Sequence, residues 1–413
     1  MNWALADQAI ISGVNFLTGL LIARFLGIEA FGVFTLVWMA VLFVNSIQMA
    51  MISAPMMTIG PKQSDDERPS YYGAVVMQQA IFSTVTSLLL WVGVAYSDLI
   101  NPQWNVTHLA LPLAMALFFF QNQDFLRRFF FTEKRPILAL MSDVISYLGR
   151  TIVLVLFFLY ATLTTSTVLW IIAISSALAL AVGFAQIKAL AFDSNQLTLV
   201  FKRHWVLSKW MTASAVMQWT SGNYFVLAAG ALLGPVAVGA LKAAQNIIGI
   251  THILFQGLEN IVPAAASRHF TESSVKGLKE YLVKVSLWGG GATIVIAFAV
   301  SLFPDELLDL VYGAQYNEYG NLLRWYAVIY LLIFFGFPIR SGLRVFESTR
   351  PIFVAYALMT VFSVVSATYF VSQWGLKGVL AGVAVTQLIM VISLFISLKK
   401  QFYKHSVFEK NYH

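Results

Sequence analysis

Twelve long apolar runs follow one another along this chain, and they constrain its fold more than any other feature. Each run is long enough to cross about 30 Å of hydrocarbon as a helix. Of the 413 residues 59% are hydrophobic and only 11% are charged, which is too few charges to cover a soluble domain. The chain is therefore predicted to be an all-α integral membrane protein with about 12 transmembrane helices. The predicted bounds of the spans are 5–26, 30–56, 71–97, 108–131, 137–160, 167–191, 206–232, 236–264, 281–303, 320–344, 351–373 and 376–398.

The basic residues alternate from one connection to the next. If the N-terminus is cytoplasmic, 21 of the 26 Lys and Arg residues fall in or next to the even-numbered connections and in the C-terminal tail. The connections on the opposite side hold only Arg24 and Lys377. By the positive-inside rule, this split predicts a multi-pass protein with both termini in the cytoplasm. The net charge of +7 then reflects topology, so no nucleic-acid partner is expected.

The chain also contains an internal repeat. The motif LG-x-x-A-x-G occurs at 26–32 and again at 233–239, and an Arg-Pro-Ile triplet opens both span 5 and span 11. Isolated LG or RP pairs are common at helix ends by chance, but matches in the same order at nearly constant offset indicate a duplication. We therefore expect two six-helix bundles, residues 1–200 and 201–413, related by pseudo-twofold symmetry, with a binding site between them.

Polar residues inside the spans are expected to face a lumen rather than lipid. In span 8 they fall within about 140° of helical arc, and span 1 carries a similar stripe. The alternative is interhelical hydrogen bonding that holds the bundle together. By the repeat, spans 1, 2, 7 and 8 form the seam between the halves. The predicted lumen or coupling residues are Asp7, Asn15, Asn45, Gln48, Asp143, Asn246, His252, Gln256 and Glu259.

Bases inside the spans are the costliest residues in the sequence, since a charge at mid-bilayer costs about 2.5 kcal/mol or more. Arg150, Lys242, Arg324 and Arg24 are the predicted substrate-binding cations, because a cationic chamber with apolar walls suits a multiply charged anion. Asp143 and Arg150 are predicted to share one helical face. The alternatives are an interhelical ion pair for these two residues and snorkelling for Arg324.

Several kinds of site are missing from the sequence. It has no cysteine, and its six histidines show no metal-ligand spacing. It contains no phosphate-binding GxxxxGK[ST] loop and no GxSxG or HExxH motif. We therefore expect no metal, no cofactor, no catalytic residue and no enzymatic activity.

The stretch from Asn15 to Phe34 resembles the opening of polysaccharide transporters of the Wzx O-antigen flippase type in the MOP flippase superfamily. Their opening follows the pattern N…ARxLGxxxFGxF, and this chain reads ARFLGIEAFGVF at 23–34. Twelve spans in two halves extend the resemblance over the whole chain. MurJ-type lipid II flippases usually have fourteen spans, so the length argues against that branch. Multidrug MATE antiporters share the fold, but the motif fits them less well.

The resemblance implies a flippase of a bacterial cytoplasmic membrane. It would move a polyprenyl-diphosphate-linked oligosaccharide for surface polysaccharide or O-antigen synthesis by alternating access through the cationic lumen. The lipid-linked glycan and membrane lipid would be its partners, with glycan polymerase or chain-length proteins as further candidates. It would work as a monomer, and coupling to an H⁺ or Na⁺ gradient stays open. The alternatives are a cation-coupled multidrug antiporter of the MATE type and a membrane-embedded glycan-modifying enzyme.

Overall fold

The computed structural model describes residues 2–99, 105–187 and 190–412, and the side chains of these except 2–12, 98, 260 and 407–412. Within these residues the regular structure is helical throughout, with no strand. The helices are α1 (Asn2–Leu26), α2 (Ile28–Gln48), α3 (Ala54–Ile59), α4 (Arg68–Ala95), α5 (Ala110–Thr132), α6 (Pro136–Asp143), α7 (Gly149–Tyr160), α8 (Thr165–Phe184), α9 (Ser194–Leu233), α10 (Pro235–Ile248), α11 (Thr251–Leu302), α12 (Pro304–Tyr312), α13 (Gly320–Val345) and α14 (Arg350–Tyr412). Two π-helical segments, Met49–Ser53 and Val144–Leu148, join α2 to α3 and α6 to α7.

These helices confirm the all-α fold with about twelve helices, several of them apolar enough to span a membrane. Two long helices each contain a break that separates neighbouring spans. In α11 the backbone is non-helical at Ser273 and Ser274, and in α14 it is non-helical at Gly375, where φ is 56°. The predicted connection between spans 8 and 9 is largely helical, because its Glu and Lys residues are good helix formers although they are polar.

The outer surface of the helices is apolar, as a hydrocarbon solvent requires. Leu89, Trp288 and Val365 are each 67–76% exposed. In the described part of the chain, eight helices are long and apolar enough to cross a membrane. Two of these eight are α11 and α14, whose breaks divide them into two helical segments each.

The duplicated LG motif has the same backbone conformation in both copies. Gly27 (φ 78°) precedes α2, and Gly234 (φ 84°) precedes α10. Both glycines have a positive φ, which other residues rarely adopt. A side chain at Gly234 would have open space around it, so the backbone angle rather than crowding explains glycine there. The motif therefore marks the same sharp junction between two helices in each half.

The turns before the Arg-Pro-Ile triplets also repeat. The N–H of Arg135 donates to the carbonyl of Phe130, and the N–H of Ser348 donates to that of Leu343, a six-residue closure in both places. Lys134 (φ 56°) and Glu347 (φ 54°) take the left-handed conformation between them. This is the geometry of a Schellman helix ending, and both copies end a membrane helix just before the next one begins.

The chain divides into two compact units, Met1–Val216 and Met217–His413. The first has an aromatic-rich core around Tyr72, Phe125 and Phe130. The second has an aliphatic core around Leu343 and Leu394. The predicted division after residue 200 stays a prediction, while the unit boundary of the structure lies inside α9.

Candidate functional site

The π-helical segment Val144–Leu148 lies between the two charged residues of span 5. On a regular helix Asp143 and Arg150 would share one face, as the sequence predicted, because seven residues are close to two turns. A π turn holds one extra residue, which rotates everything beyond it by roughly 100°. The prediction of a shared face is therefore wrong: Asp143 lies against α5, and Arg150 lies against α1.

Asp143 is fixed by an ion pair with a base of the neighbouring helix. Nε of Arg127 donates to its Oδ2 at 2.6 Å, and the Gln123 amide donates to its Oδ1 at 3.1 Å. Only 14% of the Arg127 side chain is exposed. On the same helix, Nε of Arg128 donates to Oδ2 of Asp124 at 2.9 Å. The ion pair was one of the two alternatives for Asp143, and its partner is Arg127 of α5.

Arg150 has a different environment. It is 4% exposed, its Nη2 donates to Oδ1 of Asn15 at 3.2 Å, and its guanidinium carbon lies 4.9 Å from the centre of the Tyr147 ring. A hydrogen bond of 2.7 Å between Thr18 and Thr151 ties α1 to α7 beside it. Among the side chains that the structure describes, no carboxylate lies within ion-pairing distance of Arg150. Its Nε is buried without a partner, which is uncommon for a buried donor.

The polar residues of α2 lie next to the other π-helical segment. Gln48 is fully buried, and its amide donates to the backbone carbonyl of Gln121 at 3.2 Å, which links α2 to α5. Asn45 is half-buried, and its Oδ1 has no partner in the described residues. Gln48 thus fits the interhelical alternative, while the role of Asn45 stays a prediction.

In the second unit, Lys242 is half-buried in α10. Its Nζ donates to Oε1 of Gln245 on the same helix at 3.0 Å. The described side chains place no carboxylate within ion-pairing distance of Lys242 either. Asn246, one residue beyond Gln245, is half-buried. Lys242 is therefore a membrane-embedded cation whose recorded neighbour is a neutral amide.

The predicted polar stripe of span 8 is interrupted at Gly249, where α10 ends and α11 begins shortly afterwards. Beyond the break, His252 and Gln256 are exposed, and Nε2 of His252 lies 3.1 Å from the Tyr330 hydroxyl. Glu259 pairs with Arg344 at 3.5 Å, with both side chains about half exposed. The stripe therefore lies on the surface of its own unit and not in its core.

The remaining predicted residues are less enclosed. Arg24 is exposed near the end of α1. Arg324 is also exposed, and its Nε donates to the carbonyl of Ser301 at 3.4 Å, and its role as a substrate-binding cation stays a prediction. The side chain of Asp7 lies outside the described residues, and its role stays a prediction. The searched residues contain no cluster of three potential metal ligands.

Sequence reasoning missed Arg127, Gln123 and Tyr147, which surround the charges of span 5. One signal pointed to a partner for Asp143, because a carboxylate inside a membrane needs a cation or a hydrogen-bond donor nearby. Arg127, sixteen residues earlier and one helix away, was the available base. No pattern in the sequence indicates the π turn, which decides what each charge faces.

Part of the sequence matches a known protein family. A model of the MatE family matches residues 211–368. No curated protein sequence matches the chain significantly.

Solved structures match almost the whole chain. An inward-facing multidrug resistance MATE family transporter of the MOP superfamily is 14% identical, with a TM-score of 0.73 over 95% of this chain and 94% of that one. The lipid II flippase MurJ is 15% identical, with a TM-score of 0.74 over 98% and 90%. A MOP-superfamily transporter from Pyrococcus furiosus Vc1 is 13% identical, with a TM-score of 0.61 over 98% and 94%. The chain therefore has the multi-pass membrane fold of the MOP-superfamily transporters.

Proposed function

We propose that this protein is a flippase that moves a polyprenyl-diphosphate-linked oligosaccharide across a bacterial cytoplasmic membrane for surface polysaccharide or O-antigen synthesis. The fold is that of known transporters, and one similar structure is a lipid II flippase. The resemblance of residues 15–34 to Wzx-type transporters supports the same substrate class. Both termini would be cytoplasmic, and the protein would work as a monomer.

The observation that carries this proposal is the imbalance of charge inside the helices. Arg150 and Lys242 have neutral amides as hydrogen-bond partners and no carboxylate within reach in the described residues. A diphosphate cannot enter a low-dielectric interior without a counter-charge. Guanidinium and ammonium groups supply one, the guanidinium through two parallel hydrogen bonds. These two cations are therefore proposed to bind the diphosphate, with Arg24 and Arg324 as exposed cations along its way.

The acids next to these cations cannot neutralise them. Asp143 and Asp124 are paired with Arg127 and Arg128, and Glu259 is paired with Arg344. Each of these pairs contributes no net charge, so among the described side chains Arg150 and Lys242 keep an uncompensated positive charge. Alternating exposure of Arg150 and Lys242 to the two sides of the membrane would carry the headgroup across, with residues 1–200 and 201–413 as the two moving bodies. Asn45, Asn246 and Gln256 are proposed to give the sugars hydrogen-bonding partners.

The second candidate is a cation-coupled antiporter for small organic compounds. The similar multidrug MATE transporter and the MatE match favour it. This mechanism needs a carboxylate that takes up H⁺ or Na⁺ in each cycle. Asp143 and Glu259 are engaged in ion pairs, which leaves Asp7 as the candidate coupling residue.

One experiment separates the two candidates. The purified protein is reconstituted into vesicles, and the movement of a fluorescent polyprenyl-diphosphate oligosaccharide is compared with that of a fluorescent organic cation under an imposed H⁺ or Na⁺ gradient. We expect the glycolipid to move and Arg150→Gln to slow it roughly 10- to 100-fold, the value of a lost charge-assisted hydrogen bond. Arg268→Gln removes the same charge from an exposed position and should have no effect.

The opposite result would be gradient-driven movement of the organic cation, lost in Asp7→Asn, with no movement of the glycolipid. That result would replace the flippase with the antiporter. A chemical change in the recovered glycan would instead indicate a membrane-embedded enzyme.

A further inference from the structure

A groove opens on the first unit between three of its helical segments. It has a volume of about 480 Å³ and lies between the π-helical segment that follows α2, the middle of α4 and the beginning of α9. Ile81, Phe82 and Val85 line it from α4, and Leu197 and Phe201 line it from α9. Its size lies within the roughly 300–1,000 Å³ that is typical of small-ligand pockets, and its walls are almost entirely apolar.

One buried amide in this groove lacks hydrogen-bond partners. Gln78 lines the groove and is 6% exposed, yet neither its Oε1 nor its Nε2 has a partner in the described residues. A buried amide without partners is destabilising, and hydrocarbon offers it none. Both atoms lie beneath the groove surface, so a turn of this side chain would bring an unsatisfied donor to a ligand that is mostly apolar but carries a hydrogen-bond acceptor.

Two lysines flank the groove along α9. At 100° per residue, Lys209 and Lys202 lie about 70° and 90° from the centre of the groove face formed by Leu197, Thr198 and Phe201, whereas Arg203 lies about 165° away. All three basic residues are exposed. Arg203 instead interacts electrostatically with Tyr71 and His204, which pack on the other side of the helix.

The beginning of α9 lies at the level of the lipid headgroups. The helix has 40 residues and is therefore about 60 Å long, roughly twice the thickness of the hydrocarbon core. Trp205 and Trp210 are well exposed beside the lysines, as is typical of residues at a membrane interface. Cationic and aromatic side chains thus occur together beside an apolar groove.

We propose that this groove is a binding site for an anionic phospholipid, independent of the proposed transport substrate. One acyl chain fills the apolar groove, and the Gln78 amide turns toward the lipid and donates to an ester carbonyl. Lys202 and Lys209 bind the phosphate and attract an anionic headgroup, since lysines near an anionic lipid surface bind it more tightly. The occupant is a phospholipid because the headgroup region already holds such lipids at high density.

The test is native mass spectrometry of the detergent-purified protein, titrated with phosphatidylglycerol or with phosphatidylcholine of the same acyl chains. We expect phosphatidylglycerol to bind the wild type about 10-fold or more tightly than phosphatidylcholine. Lys202→Gln should weaken phosphatidylglycerol about 5-fold and leave phosphatidylcholine unchanged. Arg203→Gln, the same loss of charge on the next residue, should change neither lipid by more than about 2-fold. Thr198→Trp, which fills the groove, should weaken both lipids.

Three outcomes overturn the proposal. Equal affinities for the two lipids would mean that only bulk lipid solvates the groove. Equal effects of Lys202→Gln and Arg203→Gln would mean that the attraction is not directed to the groove. A polyprenyl phosphate that displaces phosphatidylglycerol with higher affinity would assign the groove to the transport substrate. If Thr198→Trp does not elute as the wild type, Gln78→Leu replaces it, and an undiminished affinity for phosphatidylglycerol in that variant would exclude the amide contact.

Discussion

Arg150 in the first unit and Lys242 in the second are both cations inside predicted spans, but their surroundings differ. Arg150 is buried between α1 and α7, where Asn15 and the Tyr147 ring fix its guanidinium. Lys242 is half-buried, and its recorded partner is Gln245 on its own helix. A π turn orients the first cation, whereas a regular helix carries the second.

This difference indicates how the two cations would share the work. Arg150 is held by other helices, so little side-chain entropy is lost when it binds an anion. The long side chain of Lys242 keeps its rotamers until it binds, and ordering it costs up to about 2 kcal/mol. We therefore expect the first unit to provide a preorganised site and the second unit to provide an adaptable one.

The largest expected effect concerns the ion pair that frames the first site. Asp143→Ala removes the carboxylate partner of the largely buried Arg127, and breaking a buried ion pair from one side typically destabilises a protein by about 3–5 kcal/mol. Glu259→Ala removes the corresponding half-exposed pair of the second unit and should change stability by less than about 1 kcal/mol. Thermal unfolding of the purified variants measures both. Equal losses of stability in the two variants would contradict the distinction between a rigid first unit and an adaptable second unit.

The next effect concerns Arg150 itself. Arg150→Ala should slow glycolipid movement roughly 100-fold, since it removes both the charge and the planar donor pair. Arg150→Lys should recover only part of the rate, because an ammonium cannot replace the bidentate contact. Rates are measured with the fluorescent glycolipid in vesicles, at equal protein abundance. Full activity in Arg150→Lys would show that position and planarity do not matter at this site.

A smaller effect is expected at Lys242. Lys242→Gln should slow glycolipid movement about 10-fold, and Lys242→Arg should restore most of the rate, because the site is adaptable and needs mainly a positive charge. Lys399→Gln removes an exposed lysine of the same unit and is the matched control. A Lys242→Arg variant as slow as Lys242→Gln would mean that this site also has strict geometry.

The smallest effect is a pH dependence of stability. His204 is fully buried against the Tyr71 hydroxyl at 3.0 Å, and burial, with a smaller contribution from the charge of Arg203, lowers its pKa to about 4. The unfolded chain takes up a proton near pH 6.5, whereas the folded protein does so only near pH 4. Stability should therefore fall by about 1 kcal/mol as the pH drops from 7.5 to 6, and fall further toward pH 4.

The variant His204→Gln keeps an acceptor for Tyr71 and should lose much of this fall in the thermal unfolding midpoint. His252→Gln alters the histidine–tyrosine contact of the second unit but retains His204, so it should keep the wild-type fall. An identical pH profile in His204→Gln would show that other groups cause the dependence.

The helical organisation could be predicted from the sequence because hydrocarbon imposes the same length on every span. The LG junctions could also be located, since the left-handed backbone at Gly27 and Gly234 strongly favours glycine. The continuous long helices α11 and α14 were harder to predict from the sequence, because polar residues end a span without ending a helix.

The site was predictable only in part. An ionisable residue inside a span stands out because burying its charge in the bilayer costs free energy. Arg150, Lys242 and Asp143 were selected on this ground. What each one contacts depends on the π turn at Val144–Leu148 and on which helix lies next to it. Neither follows from the periodicity of a single chain, so the partnership of Asp143 with Arg127 required the structure.

The most direct test of the central claim is the equilibrium binding of a short-chain polyprenyl diphosphate to the purified protein. We expect the dissociation constant for this diphosphate to rise at least 100-fold in the double variant Arg150→Gln/Lys242→Gln. The double variant Arg268→Gln/Lys399→Gln, which removes the same two charges from exposed positions, should bind like the wild type. Unchanged binding in the first double variant would contradict the assignment of these cations to the diphosphate.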